Sequence, residues 1–534
     1  MGNISEKDIE LIEKHLDNNS SPIEKKMHEE YNFLKKYKPP KINENEKKEE
    51  IKSKAIINPI RAKKRLTRFT KWFKMIYTKE NEIYYNQQKI TKSKTLTAPD
   101  FLDKNFFIPI HHNSDNLKNI KFIFDESITN YTLISQNQNM IELSLRKYFS
   151  ENKLHFLQRV KKGPPESLRW ISWMIILNIP ENRNESIYRK YLLMNIEEKS
   201  DNQIKKDLNR TINENNITEM KRTTSDRNEK KDILYRVLRV LSNIDIECGY
   251  CQGINFITEF LLEISDYNEY ETFYMLISLF GKNFDNNFNI RGFFINNFPL
   301  LECYLYIFDN ILEKENSDIY KYIKKLEIPH EAWIGKWIQT LYTICLPCYL
   351  NYRIWDNILS TGLFFIISFS ISLIDIISKD ILSLKDAFDF SDYIKNFFNI
   401  TYGDGTFNGS ILYQINDSNK FIDLEDLLNQ SQKFHNSLLS KNIFLNLQDE
   451  FTKKKKSLSS SAIFYNINSN SNSNNLSHLN SNSNIIYSKS KSDSIKKDEE
   501  NANSECDEEI NELNFINLKN DNEYIFQTKK KYDT

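Results

Sequence analysis

Glycine and proline are scarce in this chain, with 11 and 12 among 534 residues. So few turn formers argue against a turn-rich all-β fold and favour long helices. An excess of charge of either sign is also lacking, since 73 Lys and Arg face 73 Asp and Glu. No net field draws the chain to nucleic acid, so any basic partner site has to be local. The sequence opens on charged residues, not an apolar run, and is therefore not read as carrying a secretory signal. Six cysteines in so long a chain fit free thiols in a reducing compartment. A Gly-rich phosphate loop ending in Lys-Ser or Lys-Thr is missing, so the chain is expected to bind no nucleotide and to need no cofactor of its own. What the chain does have is 40% hydrophobic and 13% aromatic residues, ample for a large core.

Residues 1–100 are polar and helical in pattern. Ser5 to Asp8 reads as a capping box ahead of Ile9, Ile12 and Leu16, and Ser21-Pro22-x-Glu24 as a second helix start before Met27, Tyr31 and Leu34. Segment 101–162 leads in, with helical spacing from 140 to 160. From 163 to 398 one apolar helical stripe follows another, as in Ile233, Leu234, Val237, Leu238 and Leu241, with little strand alternation. From 399 to 534 the chain turns rich in Asn and Ser, and 457–484 is of low complexity; too few apolar residues remain to offset the ordering entropy, which predicts a disordered tail.

Two short segments carry the chemistry. Ile204-x-x-Asp207-x-x-Arg210 supplies an arginine, and Tyr250-Cys251-Gln252-Gly253 a glutamine. A guanidinium to neutralise charge on the transferring phosphoryl group, and an amide to orient the attacking water, are what GTP hydrolysis most needs. Alone, each would read as an ordinary solvated side chain; in these two patterns, and in this order, the chain resembles the TBC domain family of Rab GTPase-activating proteins, whose signatures are IxxDxxR and YxQG. Gly163-Pro164-Pro165 followed by Arg169 and Trp173 is similar to the family's opening motif. Phe298-Pro299-Leu300, Trp337 through Leu346-Pro347, and Arg353-Ile354-Trp355-Asp356 are similar to features of its C-terminal half.

The resemblance spans 163–398, less than half the chain, and implies a single all-α, multi-helix domain between a helical N-terminal extension and a disordered C-terminal tail. It implies that Arg210 is an arginine finger and that Gln252 replaces the GTPase's own glutamine, so that the chain activates in trans and is not itself an enzyme. Asp207, three residues before Arg210, can face and hold it on a helix. Ile204 would anchor that turn in the core. Tyr250 can pack or hydrogen-bond beside Gln252, and Gly253 admits close backbone approach. Arg169 and Trp173 are assigned to scaffolding. The partner implied is a GTP-bound Rab GTPase, which brings its own GTP and Mg²⁺, in vesicle traffic at endomembranes. The family's proline soon after the arginine is missing from Thr211-Ile212-Asn213. The rival reading is a TBC-fold scaffold or Rab effector that binds without stimulating hydrolysis.

Four further features compete for attention. Cys248-x-x-Cys251 and Cys345-x-x-Cys348 have the arithmetic of a zinc site, but they lie far apart in apolar helical sequence without knuckle glycines, so buried thiols are expected. Ile358 to Ile374 is nearly all apolar yet short for a bilayer and bracketed by Asp356 and Asp375, which suits a buried helix. In 61–77, the basic residues Arg61, Lys63, Lys64, Arg65, Arg68, Lys71 and Lys74 alternate with Leu66, Phe69, Trp72, Phe73 and Ile76 at helical spacing. Such a basic amphipathic helix fits an anionic membrane surface, a calmodulin-like partner, or packing on a neighbouring element. Met1-Gly2-Asn3-Ile4-Ser5 superficially resembles a myristoylation start, with Glu6 where Ser or Thr is wanted.

Overall fold

The structure is a computed structural model, and it describes residues 6–16, 22–36, 59–93, 128–179, 183, 185–212, 224–280, 288–346, 348–397, 410–415 and 418–457. The myristoylation start at Gly2, segment 101–127, the stretch 213–223 after Arg210 and the chain from 458 onward lie outside the described residues. Two compact units divide near residue 176.

The N-terminal unit contains α1 (Glu6–Leu16), α2 (Pro22–Lys36), α3 (Pro59–Ser93), α4 (Ile128–Glu151), α5 (Lys153–Lys161) and α6 (Glu166–Ile176). The single lead-in helix expected over 140–160 is instead two helices that break at Asn152. Pro22 opens α2 where its missing N–H costs nothing. On α2, Met27, Tyr31 and Leu34 are buried, and the helix packs on α3 and α6. Glu30 of α2 closes the exposed amides at the start of α6: its carboxylate accepts from the backbone N–H of Glu166 and of Ser167, both at 3.0 Å, and from the Ser167 hydroxyl at 2.7 Å.

Helix α3 contains the basic amphipathic stretch, and its aromatic side is occupied by protein. Phe69, Trp72 and Phe73 are each at most 2% exposed; Trp72 meets Phe156 edge-on at 5.4 Å, and Phe69 lies 5.7 Å from Tyr31. Trp72 and Phe73 are therefore not membrane-contact residues in this structure, which corrects that expectation. Packing took the face because burying an aromatic side chain against neighbouring helices removes as much apolar surface from water as a bilayer would. Among the basic residues, Lys63, Lys64 and Lys71 stay exposed, whereas Arg65 pairs with Glu166 at 3.2 Å and Lys74 with Asp8 at 2.6 Å.

His15 ties α1 to α3. Its Nε2 lies 3.3 Å from Glu80, with Phe73 and Tyr77 edge-on to the ring. Burial alone would lower the imidazole pKa, but the hydrogen bond and charge of Glu80 outweigh it and the net shift is upward. A raised histidine contributes stability that is fully present below its unfolded value of about 6.5 and is lost as pH rises through the raised one. Urea unfolding of the N-terminal unit within the full chain is thus expected to show stability falling across that window, and His15→Gln to flatten the slope.

The second unit holds α7 (Glu185–Leu193), α8 (Glu198–Thr211), α9 (Thr224–Ile244), α10 (Ile254–Ile264), α11 (Glu269–Phe280), α12 (Pro299–Glu315), α13 (Ser317–Lys325), α14 (Lys336–Gln339), α15 (Cys348–Thr361), α16 (Phe365–Leu382), α17 (Ala387–Asn396) and α18 (Leu424–Ser440). The near-continuous apolar run divides at Gly362, whose φ of 116° few other residues adopt, into the end of α15 and the start of α16. Helix α16 is a core helix, with Phe365, Ile366, Ile367, Phe369, Leu373 and Ile374 buried. The hydroxyls of Ser370 and Ser372 donate back to Ile366 and Ser368 carbonyls at 2.8 and 2.9 Å. No described helix is long and apolar enough to cross a membrane.

The all-α expectation holds, with one addition: an antiparallel hairpin of β1 (Ser410–Ile415) and β2 (Ser418–Asp423). The start of the region read as a disordered tail is also corrected. Asp423 caps α18 by accepting from the N–H groups of Glu425 and Asp426 at 3.0 and 3.1 Å, and Leu424, Leu427, Leu428 and Leu438 are buried; residues 443–457 are helical as well. Arg353 secures α18, donating to Glu425 at 2.7 Å and to buried Asp356 at 2.9 Å. The Arg353-Ile354-Trp355-Asp356 segment is thus a structural clasp.

Candidate functional site

Helix α8 is polar in composition, yet it folds because Ser200, Ile204, Asp207 and Thr211 recur on one buried stripe while its lysines face water. Arg210, in the last turn, has a side chain 47% exposed; Asp207 beside it is fully buried. The two form an ion pair one turn apart, as their spacing predicts. The other Asp207 oxygen accepts from the Tyr250 hydroxyl at 2.8 Å, so one buried carboxylate orients the arginine and holds the glutamine loop. Burial, the largest influence, raises the Tyr250 pKa well above the ordinary phenol value although Arg210 pulls it down. The phenol therefore remains a neutral donor to that carboxylate.

A second bridge joins the same two elements. Thr211 donates to the Asp207 carbonyl at 2.7 Å, Asn255 donates to the Thr211 hydroxyl at 2.7 Å, and the Asn255 side-chain oxygen accepts from the Gly253 N–H at 2.9 Å. Gln252 is exposed between these anchors, and among the described residues no hydrogen bond ties its amide. The backbone around it is fixed while the side chain is free to reach outward, the arrangement a preorganised group needs.

Gly253 has φ of 118°, and a Cβ there would approach Phe294 Cε1 to 3.1 Å. Glycine is required both by conformation and by space. Gly253→Ala is expected to lower the unfolding free energy by about 1–3 kcal/mol; an unfolding midpoint equal to that of the wild type contradicts this.

The approach to the loop is clamped by Arg291, which is 4% exposed. Its Nε donates to Asp245 at 2.6 Å and its Nη2 to Asp245 at 3.1 Å and to Glu247. Asp245 also accepts from the Cys248 N–H at 3.3 Å. The described cysteines are free thiols, and no cluster of three metal-ligating side chains occurs among the described residues. Burial pushes the Cys251 thiol up to about 11, and burial together with Asp245 pushes Cys248 up to about 12.

Of the residues singled out in the sequence, Ile204, Asp207, Arg210, Tyr250, Gln252 and Gly253 are brought together. Ile204 is fully buried beneath the turn. Arg169 and Trp173 are buried on α6 in the N-terminal unit, where Arg169 donates to the Pro164 carbonyl at 3.4 Å. Thr211, Asn255, Asp245 and Arg291 were missed. Thr211 and Asn255 flank the two motifs, and that adjacency was the available signal; Arg291 had none.

Residues 166–382 match the model of the Rab-GTPase-TBC domain family. This stretch of the chain is thus similar to a TBC domain. Over 216 residues it is 30% identical to the GTPase-activating protein GYP5 of Eremothecium gossypii, covering 40% of this chain and 24% of that protein. Over 214 residues it is 29% identical to the protein of the same name from Saccharomyces cerevisiae, covering 40% and 22%. The similarity thus spans about a quarter of the length of these relatives. The crystal structure of the Ypt/Rab-GAP domain of Gyp1p aligns with 53% of this chain and 92% of that one, at 18% identity and a TM-score of 0.41.

Proposed function

We propose that the chain is a GTPase activator for a Rab-type GTPase, and that Arg210 and Gln252 act in trans on the GTP held by the partner. The observation that carries this reading is the double bridge, Asp207 to Tyr250 and Thr211 through Asn255 to Gly253. It sets an exposed guanidinium and an exposed amide on two elements locked in one register. Hydrolysis builds negative charge on the oxygens around the transferring phosphoryl group; the guanidinium of Arg210 stabilises it. The Gln252 amide can accept from a water and donate toward the phosphoryl oxygens, aligning the attack. Asp207 keeps the guanidinium in one orientation, so less rotamer freedom is lost on docking.

The experiment is phosphate release from a panel of GTP-loaded Rab proteins mixed with the full chain. Acceleration of one or more is the expected result. GTP-dependent binding to a panel member without acceleration of any would overturn activation in favour of an effector.

A further inference from the structure

Gly253 leaves the Gln252 loop against a wall built by two segments distant in sequence. A Cβ at Gly253 would stand 3.1 Å from Phe294 Cε1, 3.5 Å from Thr340 Cγ2 and 3.9 Å from Gln339 Cδ. Phe294 directly follows a 3-10 turn, Arg291–Phe293, and Gln339 ends α14. The Gln339 side chain joins the two segments, its Nε2 donating to the Phe293 carbonyl at 2.8 Å. At its other end the same 3-10 turn holds Asp245 and Glu247 through Arg291, at the entry to the loop. One short turn therefore braces the loop before Gln252 through Arg291 and after it through Phe294, and Gln339 fastens that turn to α14.

The backbone on either side of Gln339 is irregular. Helix α14 follows a π-helical turn, Glu331–Gly335, and two left-handed residues, Leu341 (φ 49°) and Tyr342 (φ 66°), come soon after it. Neither is a glycine, so both conformations are costly and persist only where the surroundings over-determine them. Here they do. The Leu341 carbonyl accepts from the Trp355 indole N–H at 3.2 Å, the Tyr342 hydroxyl lies 2.9 Å from that of Ser370, and both side chains are fully buried. Thr340 donates its hydroxyl back to the Lys336 carbonyl at 2.7 Å, while its methyl group meets Gly253. π turns and left-handed residues other than glycine gather at functional sites.

We propose that Gln339 is a positioning residue for Gln252: by linking α14 to the 3-10 turn it holds the Phe294 wall against Gly253, and so fixes the backbone from which the Gln252 amide reaches the partner's GTP. The inference rests on the proposed activator function and deepens it. Gln252 makes no side-chain hydrogen bond among the described residues, so its aim depends on its backbone. Bonds to Asp207 and Asn255 hold that backbone through Tyr250 and Gly253, and the wall fills the space that a shifting Gly253 would enter. A misplacement of about 1 Å at a reacting group costs on the order of 10²-fold in rate, so a contact one residue from Gln252 is felt in the hydrolysis step and not in docking.

The test is a double-variant cycle in full chain, read as single-turnover phosphate release from the responsive, GTP-loaded Rab, with KM taken from a titration of the chain. Gln339→Leu keeps the size of the side chain and removes its donor. Alone, it is expected to slow the saturated rate about tenfold with KM unchanged; added to Gln252→Ala, it is expected to slow the rate further by less than about twofold, because two residues that act through one group are not additive. Gln339→Glu, which also cannot donate to the Phe293 carbonyl, is expected to behave alike and replaces the leucine variant if an unfolding curve shows that variant to be unfolded. An unchanged saturated rate, a loss confined to KM, or the same fractional loss with and without Gln252 each overturns the positioning role while the activator reading stands. If the wild type accelerates no Rab, the activator reading fails and the role of Gln339 falls with it.

Discussion

Arg210→Ala is expected to lower stimulated GTP hydrolysis by about 10³-fold or more, equivalent to about 4 kcal/mol of barrier. The size follows from where the guanidinium would act. Charge developing on phosphoryl oxygens inside a closed interface is poorly screened, and a cation delivered there in a fixed orientation costs little reorganisation. Stability should change far less. Arg210 is about half exposed, and Asp207, left behind, still accepts from Tyr250 at 2.8 Å. Arg210→Lys keeps the charge but gives up the planar fork, so its activity is expected to stay close to that of the alanine variant. A lysine variant with wild-type activity would mean that Arg210 contributes only long-range charge. The measurement is kcat/KM for phosphate release from the responsive Rab, beside an unfolding curve for each variant.

Gln252→Ala is expected to lower the same quantity by about 10²-fold or more, because the attacking water then lacks the group that aligns it. No loss of stability accompanies it, since the side chain is exposed and makes no hydrogen bond among the described residues, while its flanks are held by Tyr250 and by the Gly253–Asn255 bond. A stability-neutral variant with so large a kinetic defect separates a reacting group from a structural one. If Gln252→Ala instead keeps full activity, the water is aligned by the GTPase's own side chain, and the chain contributes one finger, not two.

The pairing of Asp207 with Arg210 and the constraint at Gly253 were readable in the sequence because they are local. The three-residue spacing of Asp207 and Arg210 places them on one helix face whatever surrounds the helix, and a glycine after Gln252 signals a backbone that other residues would strain. What joins the two motifs was not readable. Thr211 to Asn255 and Arg291 to Asp245 are contacts between residues more than forty positions apart, and no periodicity encodes them. The amphipathic stretch in α3 shows a different limit. Helical spacing of Phe69, Trp72, Phe73 and Ile76 establishes that one face is apolar but not what covers it, and α2 and α5 do so through Tyr31 and Phe156. Residues 424–457 were assigned to the tail because the Asn- and Ser-rich composition on either side obscured four leucines at helical spacing, which the structure buries on α18.

The most direct test of the paired-finger account is single-turnover hydrolysis of the responsive, GTP-loaded Rab at saturating chain, comparing wild type, Arg210→Ala, Gln252→Ala and the double variant. Saturation removes differences in docking and leaves only the step at the phosphoryl group. The account predicts that each single variant slows that step by the factors given above while GTP-dependent binding persists. Rates equal to wild type for both singles, with binding intact, would contradict it.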